Sequence, residues 1–371
     1  MKKIFSLILI FLSFFLFFNT SVLAQEEITS GTMSEEILET RVQKILEERQ
    51  EKPMGSEEFQ LYQKLELLVT KGLLEGKIIE VESGNLLMSN LPKYKIGDGL
   101  IVSYSQDFDG NNVFYITDYI RRNSLFWLFA IFLVITILVG RWQGLNSLIG
   151  LAISFLVIFK FILPQIYNGA DPVQIAILGS LVIIPVTFFL SHGLNKKTGV
   201  AIVGTVIALI LTGILANLFV NLAQLTGFAS EEAGFLQAYK PGLINIKGLL
   251  LAGIIIGILG ILDDITISQS AIVQQLKTTN SKLKAGELYK KAMTVGKDHI
   301  ASMVNTLVLV YTGAALPLLL LFINNPSPFS QVINYEIIAD EVVRTLVGSI
   351  GLIFAVPITT IIASLVFSKK K

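Results

Sequence analysis

Cysteine is absent from this 371-residue chain, and histidine occurs only twice. The lack of cysteine excludes disulfides, thiolate catalysis and cysteine-ligated metals. Charged residues make up only 15% of the sequence, compared with about 25% in a typical soluble domain. The formal net charge is +1, so the protein has no overall field that would attract nucleic acid, and we expect no nucleic-acid partner.

Three widespread functional motifs are also missing. The sequence has no G-x-x-x-x-G-K-[ST] phosphate loop, no H-E-x-x-H and no G-x-S-x-G. An ATP-driven pump would therefore need a partner subunit. We predict that the chain is not an enzyme and that it holds no cofactor. We also predict no metal, because the one histidine and three acids of its polar segments lack the dense spacing of a metal site.

Long apolar stretches make up much of the sequence, and 53% of its residues are hydrophobic. Seven runs approach or exceed the roughly 20 residues that a helix needs to cross a bilayer. They are 125–140, 145–163, 173–191, 198–222, 245–262, 300–323 and 342–367. A backbone in lipid must satisfy its own hydrogen bonds, so we predict helices. The predicted fold class is an α-helical polytopic membrane protein with a seven-helix bundle over residues 123–368.

The N-terminus has the pattern of a secretory signal peptide, which we assign to residues 1–24. Lys2 and Lys3 precede an apolar segment, 4–18, and small residues occupy the cleavage positions before residue 25. An uncleaved anchor helix is the alternative. Both interpretations place residues 25–122 outside the cytoplasm.

Basic residues indicate the orientation of the later spans. The predicted outer segments 164–172, 223–244 and 324–341 contain one lysine, Lys240, among several acids. The predicted inner segments contain Arg141, Lys196, Lys197, Lys277, Lys282, Lys284, Lys290, Lys291, Lys297 and Lys369–Lys371. This asymmetry places the loop 264–299 and the basic tail 369–371 in the cytoplasm, at the plasma membrane.

Residues 25–122 differ in character from the apolar runs. The segment 34–50 has an apolar face at helical spacing and is predicted as an amphipathic helix. Short strand patterns follow at 65–70, 76–81, 86–88, 99–104 and 113–118, separated by turn-forming residues. We predict a small β-rich domain, a barrel or OB-like module, which does not by itself identify a ligand.

Polar residues extend the fifth apolar run. If that helix continues past Asp263 and Asp264, then Asp263, Thr266 and Ser270 share one stripe. Polar groups in a membrane are costly, so this seam is a candidate site for a proton or a cation. The alternative is an amphipathic helix end on the inner leaflet with both acids solvated.

A second polar segment opens the sixth run. Asp298, Ser302 and Asn305 share one helical face, and His299 and Thr306 share a neighbouring one. Because this segment enters the membrane at the level of the acidic pair, a His–Asp cluster is expected to relay protons. The alternative is that Asp298 caps its helix and His299 rests at the membrane interface.

Two further pairs of residues are candidates, one for the outer part of a transport path and the other for helix–helix packing. Asn217 and Asn221 lie one turn apart near the outer end of the fourth run, where they would face an outward vestibule or bond a neighbouring helix. Gly253 and Gly257 form a small-xxx-small pair, which favours the close approach of another helix.

Two stretches carry a family resemblance. The sequence GILDDITISQ at 260–269 resembles the signature of YibE/F-like membrane proteins, and so do GKDH at 296–299 and VNTLVLVYTG at 304–313. The resemblance extends over roughly residues 75–367 and includes the turn KIGD at 95–98. It implies a bacterial multi-span membrane protein, and it supplies neither catalytic residues nor a substrate.

The leading functional expectation is a secondary transporter or ion-coupled permease for an unknown substrate, coupled to a proton or cation. The runner-up is a non-transporting scaffold whose outer domain binds an envelope partner and whose segment 277–297 contacts anionic lipid or a cytosolic protein. An intramembrane enzyme that uses the acids is a third option. Besides the lipid bilayer, the expected partners are a second copy of the chain or another membrane protein.

Overall fold

The computed structural model describes residues 36–52, 59–85, 91–107, 110–323 and 327–369. The predicted signal peptide and the predicted strand at 86–88 lie outside these residues. By their internal contacts, the described residues divide into two compact units, the first ending at Ile135 and the second beginning at Thr136.

The first unit contains a five-stranded antiparallel sheet with the order β3-β2-β1-β4-β5. The strands are β1 (Glu36–Glu51), β2 (Gln60–Lys71), β3 (Ile78–Ser83), β4 (Gly99–Gln106) and β5 (Asn112–Tyr119). Alternate residues of β2, Leu65, Leu67 and Val69, are buried in one core, as expected for strands with a single covered face. The Cα atoms of β3 and β5 approach within 8 Å, so the sheet is strongly curved.

The prediction of a helix over 34–50 is wrong, because this segment forms β1, the central strand of the sheet. It pairs with β2 on one side and β4 on the other, and Leu38, Thr40 and Val42 alternate inward. Register shifts between Val42 and Lys44 and between Ile45 and Glu47 break the two-residue alternation. The first of these bulges gives Val42 and Ile45 a spacing of three, and the inward Thr40 separates the apolar Leu38 and Val42 by four, so the apolar spacing imitates a helix in the sequence.

Helices make up the rest of the described chain. They are α1 (Arg122–Val157), a π-helical turn (Ile158–Ile162), α2 (Leu163–Tyr167), α3 (Pro172–His192), α4 (Lys196–Leu222), α5 (Glu231–Tyr239), α6 (Ile246–Thr279), α7 (Ala285–Ala314), α8 (Leu316–Ile323), α9 (Phe329–Val332) and α10 (Glu336–Ser368). By length and composition, five helical runs in the described residues can cross a membrane, or six if the pair α7–α8, bent by 69°, counts as one span.

The first of these runs, Arg122–Tyr167, joins two spans that the sequence predicts separately, 125–140 and 145–163. Its backbone breaks at Arg141, which has φ 49° and ψ −133°. A Cβ atom on Gly144 would lie 2.2 Å from the carbonyl oxygen of Thr136. Residues eight apart are about 12 Å apart along a straight helix, so the chain turns sharply here.

Side-chain caps fix where α3, α4 and α6 begin. The side chains of Asp171, Asn195 and Asn245 accept hydrogen bonds from backbone N–H groups three residues later, at 2.9, 3.0 and 2.9 Å. Each bond satisfies one of the free N–H groups of a helix start. The predicted loop 264–299 is mostly helical, since α6 runs to Thr279 and α7 begins at Ala285.

Helix α6 is the centre of the second unit and packs against α3, α4, α7 and α10. Helices α4, α6 and α10 each contact the other two. Glycine brings α4 and α10 close together, because a Cβ on Gly204 would lie 2.3 Å from Thr359 Oγ1 and one on Gly351 would lie 2.2 Å from Thr212 Oγ1.

Candidate functional site

A seam of polar side chains runs along α6 where it faces α4. Thr266 is fully buried, and its Oγ1 lies 2.7 Å from Thr205 Oγ1 of α4. One turn further, the buried Ser270 donates from Oγ to the backbone oxygen of Lys197 at 2.9 Å. The helical period therefore turns this stripe towards a neighbouring helix and away from the surrounding medium.

Asp263 lies one turn before Thr266 on the same helix. It is 17 residues from the first residue of α6, Ile246, and 16 from the last, Thr279. Its Oδ1 atom is buried without a hydrogen-bond partner among the described residues. Asp263 as a whole is partly exposed, but a buried carboxylate oxygen without a partner carries a desolvation cost, so Oδ1 can gain from a proton or a cation.

The neighbouring acid, Asp264, is exposed. His192, at the end of α3, is close enough to Asp264 and to Lys197 to interact electrostatically with both. Nothing in the sequence around His192 marks it as a neighbour of the acids. His299, which we expected beside them, lies on α7 and is partly buried.

The remaining polar candidates on α7 face outward. Asp298, Ser302, Asn305 and Thr306 are all exposed. Ser302 Oγ donates to the backbone oxygen of Asp298 at 3.1 Å, and Thr306 Oγ1 donates to that of Ser302 at 3.0 Å. These hydroxyls are thus satisfied within their own helix and do not extend the buried seam.

The two asparagines of α4 bond to each other. Both Asn217 and Asn221 are exposed, and Asn221 Nδ2 donates to the backbone oxygen of Asn217 at 2.6 Å and to its Oδ1 at 3.1 Å. Gly253 and Gly257 are exposed as well. A Cβ on Gly253 would meet nothing within 4 Å, so helices approach closely at other glycines.

Several buried polar groups beside the seam are not apparent from the sequence. Gln269 of α6 donates from Nε2 to the backbone oxygen of Ala292 at 3.1 Å, while its Oε1 has no partner in the described chain. The hydroxyls of Thr198, Thr359 and Ser364 are also buried without a partner among the described residues. A usable signal exists on α4, where threonines recur every seven residues at 198, 205 and 212.

Among the residues that the structure describes, no group of three or more histidines, aspartates and glutamates is placed to hold a metal ion. The seam offers hydroxyl and amide oxygens and one carboxylate. That combination can bind water, a proton or a weakly held cation, and it contains no candidate nucleophile with an adjacent base.

Comparisons with known proteins agree with the membrane architecture. The family described as YibE/F-like protein matches residues 128–369, which include all of the seam. The turn at 95–98, which contributed to the resemblance in the sequence, lies outside the match. Searches of curated proteins and of solved structures found no match. Since the matched region is well over half of the chain, this protein belongs to the YibE/F-like family.

Proposed function

We propose that this protein is a secondary transporter or ion-coupled permease, not an enzyme, and that Asp263 binds the coupling ion. The observation that carries the proposal is the buried Oδ1 of Asp263, which lacks a partner in the described chain and lies midway along a helix long enough to span a membrane. Ionisable groups in such positions are rare because of their cost, and they commonly mark ion pathways.

The proposed mechanism follows from the cost of moving a charge through a low-dielectric region. With Asp263 ionised, closing the protein around it is expensive. A bound proton neutralises the carboxylate, so the loaded site can be sealed and reopened on the other side. The ion then shifts the equilibrium between the two states by its preference for one of them.

We place the protein in the bacterial plasma membrane, with the sheet domain outside and the C-terminus inside. Lysine asymmetry supports this orientation. We also propose seven crossings, counting the helices on either side of Arg141 separately and α7–α8 as one broken span. The five-stranded sheet with neighbouring edge strands supports a partly open, OB-like barrel for the outer domain.

Electrical recording from proteoliposomes on a solid support tests the proposal with a panel of solutes. Inorganic ions and small organic solutes are perfused in turn at several pH values. We expect one class to produce a transient current in the wild type, and Asp263→Asn to abolish it. Asp264→Asn is the matched control, because Asp264 is exposed and is not part of the proposed site. Equal currents in wild type and Asp263→Asn would contradict the proposal.

A second candidate function is a scaffold that binds another membrane protein or a second copy of this chain. The exposed face of α7 favours it, because Asn305 lies within a largely apolar part of the helix and its amide would be costly in contact with lipid. Asn305→Cys in the cysteine-free chain tests this through disulfide cross-linking in membranes. A cross-linked dimer supports self-association, a heterologous adduct supports a partner, and uncross-linked monomer argues against both.

A further inference from the structure

The three helices α4, α6 and α10 share a property beyond their mutual packing. Each carries buried polar atoms without a hydrogen-bond partner in the described chain. Two of them, Asp340 Oδ1 and Arg344 Nε, lie near the first residue of α10. The other five are Thr198 Oγ1 on α4, Asp263 Oδ1 and Gln269 Oε1 on α6, and Thr359 Oγ1 and Ser364 Oγ on α10. Of these five residues, all but Asp263 are almost completely buried, with exposed fractions of 0–2%.

The packing of α4 against α10 places two of these hydroxyls at one level. Gly204 of α4 contacts Thr359 of α10, and Thr212, eight residues later on α4, contacts Gly351, eight residues earlier on α10. The helices are therefore antiparallel with a constant register. Thr198 precedes Gly204 by six residues and Ser364 follows Thr359 by five, so the two hydroxyls lie at nearly the same height.

The next level contains Thr359 and the amide of Gln269. Thr359 Oγ1 lies against Gly204, the residue before Thr205, which pairs with Thr266. A Cβ on Gly296 of α7 would lie 2.7 Å from Val356 Cγ1 and 3.0 Å from Gln269 Nε2, so the amide is next to α10. Asp263 lies one turn from Thr266, on the side away from Gln269 and Ser270. The polar residues of α6 from Asp263 to Ser270 therefore extend over about 10 Å, at 1.5 Å per residue.

We propose that the side chains of Thr198, Ser364, Thr359 and Gln269 line a hydrated path by which protons from the cytoplasmic side reach Asp263. The inference rests on the proposed function: it identifies the coupling ion as a proton and places the entrance to the site on the cytoplasmic side. Buried polar atoms almost always have a hydrogen-bond partner, so we expect ordered water beside the unpartnered hydroxyls and amide oxygen, away from the close contact between Gly204 and Thr359.

Transfer along this path conserves atoms and charge. A hydronium at the entrance gives a proton to the first water, each water accepts one proton and passes on another, and the last proton forms an O–H bond with Asp263 Oδ1. The hydroxyls and the amide orient the waters and do not ionise. By position in the sequence, the charged or titratable groups that the adjoining elements carry at this end are His192 on α3, Lys196 and Lys197 on α4, Asp264 on α6, and Lys297, Asp298 and His299 on α7. Residues 345–368 of α10 include no charged or titratable group, and Lys369 directly follows that helix.

Time-resolved infrared spectroscopy after a pH jump tests the path on the full chain in lipid nanodiscs. The carboxylic-acid band of Asp263 is identified by its loss in Asp263→Asn. We expect Thr359→Val and Ser364→Ala to slow its appearance about tenfold, the rate equivalent of one lost hydrogen bond. Thr359→Ser, which keeps the hydroxyl, should restore the rate.

Thr360→Val is the matched control. Thr360 is the next residue of α10 and equally buried, but its Oγ1 already donates to the backbone oxygen of Val356 at 2.6 Å. Its rate should match the wild type. If the band appears at the wild-type rate in both Thr359→Val and Ser364→Ala, the path is refuted while the role of Asp263 stands. If no Asp263 band appears in the wild type at any pH, both the path and proton coupling at Asp263 are refuted.

Discussion

The contact between Gly204 and α10 gives the sharpest stability prediction. In Gly204→Ala the new methyl group would lie 2.3 Å from Thr359 Oγ1 and 3.2 Å from its Cβ. Ordinary contacts are about 3.5–4.0 Å, so α10 must move away by roughly 1 Å. Overpacking of this kind costs about 1–3 kcal/mol. The same substitution at Gly253, where a Cβ meets nothing within 4 Å, carries no such cost.

The difference in stability between the two alanine variants measures the cost of the steric overlap with Thr359. Both variants gain the same helix propensity, about 0.5–1 kcal/mol, so that gain cancels. We expect the unfolding midpoint of Gly204→Ala in detergent to lie roughly 3–10 °C below that of Gly253→Ala. Adding Thr359→Ala to Gly204→Ala removes the obstructing atoms and should recover much of the loss. Equal midpoints for the two single variants would refute the close packing of α4 against α10.

Three other predictions concern the polar contacts and the orientation. Glu336→Gln should destabilise the second unit by about 1–3 kcal/mol, as thermal unfolding would measure. The Glu336 carboxylate accepts hydrogen bonds from two backbone N–H groups and a hydroxyl in loop 226–227. The Arg122 guanidinium donates to Glu39 at 2.6 Å and lowers the pKa of that carboxyl below 4.5, so this contribution to stability is complete above pH 4.5 and is lost as the pH falls further. Acid titration of Arg122→Met should show a smaller loss than the wild type. Lys284→Cys should resist an impermeant thiol reagent outside intact cells and react after lysis; labelling from outside would reverse the proposed orientation.

The sequence predicts elements whose signal is local. Apolar runs locate the helices that are long enough to cross a membrane, because length and hydropathy alone identify such helices. The helix predicted for the segment that forms β1 is wrong because bulges disguise the strand period and because only pairing with β2 and β4 makes this segment a strand.

The candidate site is predictable along α6 but not across it. Helical periodicity places Asp263, Thr266 and Ser270 on one stripe. It does not tell which helices cover that stripe, since Thr205 and Lys197 are distant in sequence and meet it only through tertiary packing. For the same reason, the sequence does not distinguish the glycines that permit close contact from those left exposed.

Proton flux through reconstituted protein tests the role of Asp263 most directly. Liposomes loaded with potassium and a pH-sensitive dye receive valinomycin, so that the potential drives protons inward, with and without a solute found active in the recordings. We predict solute-dependent acidification by the wild type and by Asp264→Asn, and none beyond that of protein-free liposomes for Asp263→Asn. The same acidification in Asp263→Asn as in the wild type would contradict the claim that Asp263 carries the coupling ion.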